Sequence, residues 1–175
     1  LRSGGHTSTT RVRATDRRPA TAVEATALGI GGDAEVFAIR RLRFADGVPL
    51  SLDYSCFVTA HVADLLEQPL GGSLYELFAV RYGLVPAMST ESIEVVSASP
   101  REAEWLGIPN RRPLLAITRV TRDSTGRPFE YAYDPFRADR VRLTATTSTV
   151  TARERRGTDG RVERSVSSVR AADYG

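Results

Sequence analysis

Two segments of this chain, "IRRLRFADGVPLSLDY" (residues 39–54) and "ITRVTRDSTGRPFEYAY" (residues 117–133), each read as two strands closed by a short glycine-containing turn. Hairpin strands pair antiparallel, so any fold for the chain must contain an antiparallel sheet. The two segments also resemble each other. Ile39 matches Ile117, Arg41 matches Arg119, Gly47-Val48-Pro49 matches Gly126-Arg127-Pro128, Ser51 matches Glu130 and Tyr54 matches Tyr133, with an extra residue in the second turn. The repetition reads either as shared turn grammar or as a pseudo-symmetric sheet with two related edges around one site.

The first hairpin carries Arg40, Arg41 and Arg43 where a strand would be expected to feed a core. Strand alternation puts Arg41 and Arg43 on one face and Arg40 on the other. A two-residue Asp46-Gly47 loop pairs Arg43 with Leu50 and Arg41 with Leu52, which buries arginines beside leucines. A three-residue Ala45-Asp46-Gly47 loop pairs Arg43 with Pro49, Arg41 with Ser51 and Ile39 with Asp53. The longer loop is preferred because it separates the faces. Val36, Ala38, Leu42, Phe44, Leu50, Leu52 and Tyr54 then form a core face, opposite Arg41, Arg43, Ser51, Asp53 and Ser55. Arg40 remains the misfit. The polar face reads in two ways. It is a solvated surface with an Arg41–Asp53 ion pair worth at most ~1 kcal/mol, or it is an anion site built from guanidiniums, hydroxyls and a carboxylate.

Elsewhere "TSTTRVRAT" suits an edge strand, and "ATAVEATALGI" a short helix stopped by Gly29. Residues 59–67 suit a short helix capped by Thr59. "GGSLYELFAVRYG" gives a stronger helix: Ser73 and Glu76 have capping-box spacing, Leu74, Leu77, Phe78 and Tyr82 share a face, and Gly83 ends it. A strand over "PAMSTESIEVVSA" precedes a helix with Ser99 as cap, Pro100 first and Gly107 as stop. The expected order is β-α-β-β-α-α-β-α-β-β, an α+β domain with a mainly antiparallel sheet and helices on one face. Residues 1–7 read as a flexible start, 8–145 as the domain, and 146–175 as a polar, disordered tail.

Every basic side chain is arginine, and the arginine surplus lies at the ends: residues 21–150 hold 13 arginines against 16 acids. The pI of 9.4 is therefore weak support for nucleic-acid binding by this domain. One cysteine, Cys56, excludes an internal disulfide, and two histidines give no metal-ligand spacing. No cofactor is expected. No apolar run approaches the ~20 residues that span a bilayer and no secretory signal stands out, so a cytoplasmic protein is the default. A first residue of Leu1 is consistent with a piece of a longer chain.

The segments "ALGI", "RRLRFADGVPLSLDYS", "GSLYELFAVRYG", "SPREAEWLGIP" and "PLLAITRVTRDSTGRPFEYAYDPFRADR", in this order and spacing, resemble the effector-binding (UTRA) domain of HutC-type GntR transcription regulators. The resemblance implies a chorismate-lyase-like fold, a ligand pocket beside the sheet, homodimers, and operator DNA bound through a winged helix-turn-helix domain outside this chain. In relatives that sense phosphosugars, the positions of Arg41, Arg43 and Ser73 hold the anionic group, and those of Asp53 and Glu130 contact hydroxyl or amide groups. Tyr75 of "GSLY" and Arg119, the counterpart of Arg41, join the candidate set. Phe136 stands where relatives often carry tyrosine. The expected function is effector sensing of a small anionic metabolite, a sugar phosphate or organic acid. The alternative is a chorismate-lyase-like enzyme, which lacks a visible nucleophile–base constellation.

Overall fold

The computed structural model describes residues 7–144, 152–156 and 162–166. Its main unit, residues 7–141, contains strands β1 (Ser8–Pro19), β2 (Glu35–Ala45), β3 (Val48–Val58), β4 (Met88–Ser97), β5 (Pro113–Arg122) and β6 (Pro128–Arg137). Helices α1 (Ala22–Leu28), α2 (Leu74–Tyr82) and α3 (Pro100–Leu106) lie between them. Where one helix was expected over residues 59–67, two 3-10 turns stand instead, Thr59–His61 and Leu65–Glu67. The Thr59 hydroxyl donates to the Glu35 carbonyl at 3.2 Å and so does not cap a helix. Residues 1–6 of the expected flexible start lie outside the described residues. Within the expected tail, β7 (Ala152–Arg156) and β8 (Val162–Val166) pair antiparallel as a separate two-stranded sheet.

All six strands of the main unit pair antiparallel, in the order β1-β2-β3-β6-β5-β4. This order is an internal duplication. The unit β1-α1-β2-β3 recurs as β4-α3-β5-β6, and the last strands of the two units pair at the centre with Tyr54 opposite its counterpart Tyr133. The helices repeat too: Ala25, Leu28, Gly29 and Ile30 match Ala103, Leu106, Gly107 and Ile108. Each begins with a complete capping box, Thr21 with Glu24 and Ser99 with Glu102, and each ends on a left-handed glycine.

The helices cover both faces of the sheet, not one. Leu28 of α1 packs with Val36, Cys56 and Val58, and Ala103 and Leu106 of α3 pack with Leu42, Leu52 and Leu114. These strand residues have even parity in β2 and β3. The odd face, with Phe37, Ile39 and Phe57, takes Leu74 and Phe78 of α2. Sequence order does not record which face a connection crosses, and both faces carry enough apolar residues to be covered.

The first hairpin also departs from the expected register. Asp46 and Gly47 form a two-residue turn, both with positive φ (51° and 76°), the pattern that matches strand twist. Ala45 pairs with Val48 and Phe44 with Pro49, and then the register shifts. With Leu50 as the extra residue of a bulge, Arg43 pairs with Ser51, Arg41 with Asp53 and Ile39 with Ser55. The expected pairs Arg43–Pro49, Arg41–Ser51 and Ile39–Asp53 do not form. The bulge nonetheless restores parity, so Arg41, Arg43, Ser51, Asp53 and Ser55 share the odd face. The second hairpin bulges at the matching place, between Thr121 and Arg122.

Phe78 anchors α2. Its ring lies edge-on to Phe57 of β3 at 4.5 Å and to Phe129 of β6 at 6.3 Å between centroids, so it rests on the two central strands. Replacing this fully buried ring by alanine removes both contacts and leaves a cavity. Phe78→Ala is expected to lower unfolding stability by about 3–5 kcal/mol in urea titration, and an unchanged midpoint would show that α2 is held by other contacts.

Candidate anion-binding site

The odd face of the sheet is apolar beneath the body of α2 and polar beneath and beyond its start. Alternation on four strands brings the polar groups together. β2 supplies Arg41 and Arg43; β3 supplies Ser51, Asp53 and Ser55. β5 supplies Arg119 and Thr121, and β6 supplies Glu130 and Asp134. Ser51, Asp53, Ser55, Thr121, Glu130 and Asp134 are all buried. The Arg41 side chain is 11% exposed and Asp53 5%, so the solvated-surface reading of this face is wrong.

Two clusters make up the site. In the first, Arg43 Nη2 lies 2.9 Å and Arg41 Nη2 3.4 Å from the same oxygen, Asp53 Oδ2, while the Ser51 hydroxyl donates to Asp53 Oδ1 at 3.3 Å. Arg41 Nη1 also donates to the Gly72 and Leu70 carbonyls at 3.0 and 3.4 Å, which ties β2 to the loop before α2. Burial works against the Arg41 charge and lowers its pKa, and Asp53 partly restores it. Arg43 is the most open of the cationic side chains here, at 33% exposed. Ser73 caps α2 by accepting from the Glu76 N–H at 3.3 Å. A side chain at Gly71 or Gly72 would meet nothing within 4 Å, so the loop beside Arg41 borders open space.

The second cluster centres on Glu130. Its Oε2 accepts from the Tyr75 hydroxyl at 2.6 Å and the Thr121 hydroxyl at 2.7 Å, and Ser55 donates to Oε1 at 3.4 Å. Arg119 lies 3.6 Å from Glu130, 3.3 Å from Asp134 and 3.7 Å from Glu91. Burial penalises the Arg119 charge, but Glu130 and Asp134 outweigh it and raise its pKa. Burial also raises the Tyr75 pKa, with Glu130 adding to it, so the hydroxyl stays a donor.

Asp134 is the strained member. Desolvation pushes its pKa from 3.8 up to about 7; Arg119 opposes that, while Asp53 and Glu130 add to it. Its Oδ1 and the Arg119 Nε are buried without a hydrogen-bond partner. Burial thus favours the protonated carboxyl, which can donate a hydrogen bond where an ionised carboxylate only accepts.

Of the sequence-derived residues, Arg41, Arg43 and Asp53 are in direct contact, as are Tyr75, Arg119 and Glu130. Ser73 sits at the loop that Arg41 grips, and Phe136 pairs with Ser51 at the same side of the sheet. Thr121 and Asp134 were missed. The signal was present, because each lies at an even spacing from Arg119 or Glu130 on its own strand. Among the described residues no group of three or more His, Cys, Asp or Glu could hold a metal ion, and no helix is long and apolar enough to cross a membrane.

The family model for the UTRA domain matches residues 3–142. The chain is 33% identical over 133 residues to PhnF of Escherichia coli (strain K12), covering 73% of this chain and 53% of that one. It is 31% identical over 114 residues to the HTH-type transcriptional repressor NagR of Bacillus subtilis (strain 168), covering 65% and 46%. The crystal structure of the effector domain of PhnF from Mycobacterium smegmatis matches with a TM-score of 0.78 at 26% identity, over 83% of this chain and 90% of that one. The chain spans about half the length of the curated relatives it matches.

A raised carboxylate pKa has a definite effect on stability. The folded chain holds the Asp134 proton more tightly than the unfolded chain does. The resulting stability is full below the ordinary pKa of 3.8 and is lost as pH rises through about 7. Asp134→Asn keeps the shape and cannot ionise. Thermal unfolding between about pH 4 and pH 8 should show wild type losing more than about 1 kcal/mol relative to Asp134→Asn, and parallel curves would refute the assignment.

Proposed function

The chain belongs to the UTRA domain family, the effector-binding module of GntR-family transcriptional regulators, and on that premise we propose that its effector is a small anionic metabolite such as a sugar phosphate. The observation that carries this is the pair Arg41 and Arg43, which share one Asp53 oxygen beside the start of α2. An incoming phosphate competes with Asp53 for Arg43, the more open of the two, and takes up the first free N–H groups of α2 next to Ser73. Asp53, Glu130 and Asp134 lie on the neighbouring strands, within the same buried layer, and suit the hydroxyl or amide groups of the same ligand. Phe136 offers an apolar surface there and no hydroxyl.

Binding would be transmitted through α2. The helix touches the effector at its start, Glu130 through Tyr75, and the central strands through Phe78. A ligand that favours one placement of α2 shifts the regulator toward that state by no more than its differential affinity. We place the protein in the cytoplasm, as a homodimer, with operator DNA held by a domain outside these residues. The relatives are regulators, and a chorismate-lyase-like enzyme gains no support from them.

Calorimetric titration with a panel of sugar phosphates, their unphosphorylated sugars and organic acids tests the assignment. A phosphorylated member should bind, its free sugar should not, and Arg43→Ala should weaken binding by about tenfold or more. Binding that is indifferent to the phosphate, or to Arg43→Ala, would contradict it.

A further inference from the structure

The opposite face of the same central strands holds a second feature that the effector site does not use. Arg40, Tyr54 and Tyr133 alternate with Arg41, Asp53 and Asp134, so they face away from α2. Between them and α3 lies a cleft of about 260 Å³, lined by Arg40, Tyr54, Arg101, Glu102, Trp105 and Tyr133 among others.

The cleft traces to a break in the internal duplication. Under α1, Arg18 lies between helix and sheet: it meets both Glu24 oxygens at 2.8 and 2.9 Å and donates to the Tyr54 hydroxyl at 2.7 Å. The second unit keeps the counterparts of Glu24 and Tyr54, which are Glu102 and Tyr133. Arg18, however, is replaced by Val96: Arg18 pairs with Val36, and Val96 pairs with Leu114, at equivalent rungs. A valine cannot reach into the space that the arginine fills in the first unit.

The lining has a definite chemistry. The Arg40 guanidinium lies 5.1 Å from the Tyr54 ring centroid and has no ion-pair partner among the described residues. Arg101 and Arg13, the latter at the β1 bulge, lie 5.1 and 5.3 Å from the Trp105 ring centroid. Glu102, the carboxylate at the rim, already accepts from the Ser99 N–H at 2.7 Å. Two guanidiniums, Arg40 and Arg101, line the cleft against Glu102 and Asp53, and the Asp53 carboxylate is taken up by Arg41 and Arg43, so a surplus of positive charge stands between flat apolar walls. A carboxylate on a planar ring satisfies both features, with its oxygens on the Arg40 fork and its ring against Tyr54 and Trp105. A bare inorganic anion would leave the walls exposed.

We propose that the cleft between α3 and the sheet is a second ligand site, which takes a planar aromatic carboxylate independently of the effector site on the α2 face. Trp105 is the only tryptophan, so its emission reports on this cleft. Titrating the whole chain with benzoate should give a saturable change in that emission, with acetate and cyclohexanecarboxylate at least about tenfold weaker. Arg40→Gln should weaken benzoate binding about tenfold or more, and Arg101→Gln should weaken it in the same direction. Arg101 is exposed, so Arg101→Gln decides the matter if Arg40→Gln does not fold. Arg43→Gln, on the other face, should leave benzoate binding as it is, which separates this result from the fate of the effector reading. No saturable change in wild type, no preference for the aromatic ring, or equal benzoate affinity in the arginine variants of the cleft would overturn the proposal.

Discussion

A carboxylate taken out of water costs several kcal/mol unless cations or donors meet it, and one face of this sheet buries Asp53, Glu130 and Asp134 together. That face can be covered by a helix only because arginines arrive among the carboxylates from the neighbouring strands. Arg41 and Arg43 answer Asp53, and Arg119 lies between Glu130 and Asp134. The match is incomplete: Asp134 keeps a raised pKa and an oxygen without a hydrogen bond, and the Arg119 Nε, though 3.6 Å from Glu130, makes no hydrogen bond. A buried network with unmet capacity is costly to the empty domain and favourable to a ligand that meets it. Under the proposed function, this imbalance is what a bound effector would relieve.

The duplication supplies the frame in which this happens. Two similar β-α-β-β units meet at β3 and β6, which puts the arginine-bearing hairpins on either side of one centre. α2 has no counterpart, since it belongs to the connection between the units, and it breaks the symmetry by covering one face. On the other face the two units differ by what fills the gap under the helix. Arg18 closes it in the first, with Glu24 held down to about 2 despite its burial because Arg18 and Tyr54 bond to it. Val96 leaves it open in the second. A single frame has thus been given different polar contents at equivalent positions.

Much of this was legible in the sequence. The odd face of the first hairpin could be read because strand alternation has a period of two, and both the expected loop and the observed turn with its bulge give the same parity. The turn itself could not be read. Asp46 tolerates the left-handed region well enough to make the shorter turn, and a bulge at Leu50 leaves no mark in composition. The capping residues placed α2 and α3 to within a residue, whereas Thr59 fell to a competing bond with the Glu35 carbonyl. Which face α2 crosses is a long-range matter that local patterns do not encode. The helix repeat, "ATALGI" and "AEWLGI", is visible in the sequence as well. Arg40 looked like a misfit only while its face was taken for plain core.

On the proposed function, the two hairpin arginines and the start of α2 form one anion site. The most direct test follows the guanidinium Nε–H resonances of Arg41 and Arg43, with the backbone N–H resonances of residues 74–76, while a bound sugar phosphate is titrated in. Both sets should shift together and saturate at a single affinity, with the resonances of α3 unmoved. Shifts confined to other residues, or arginine resonances that stay in place while the ligand binds, would contradict it.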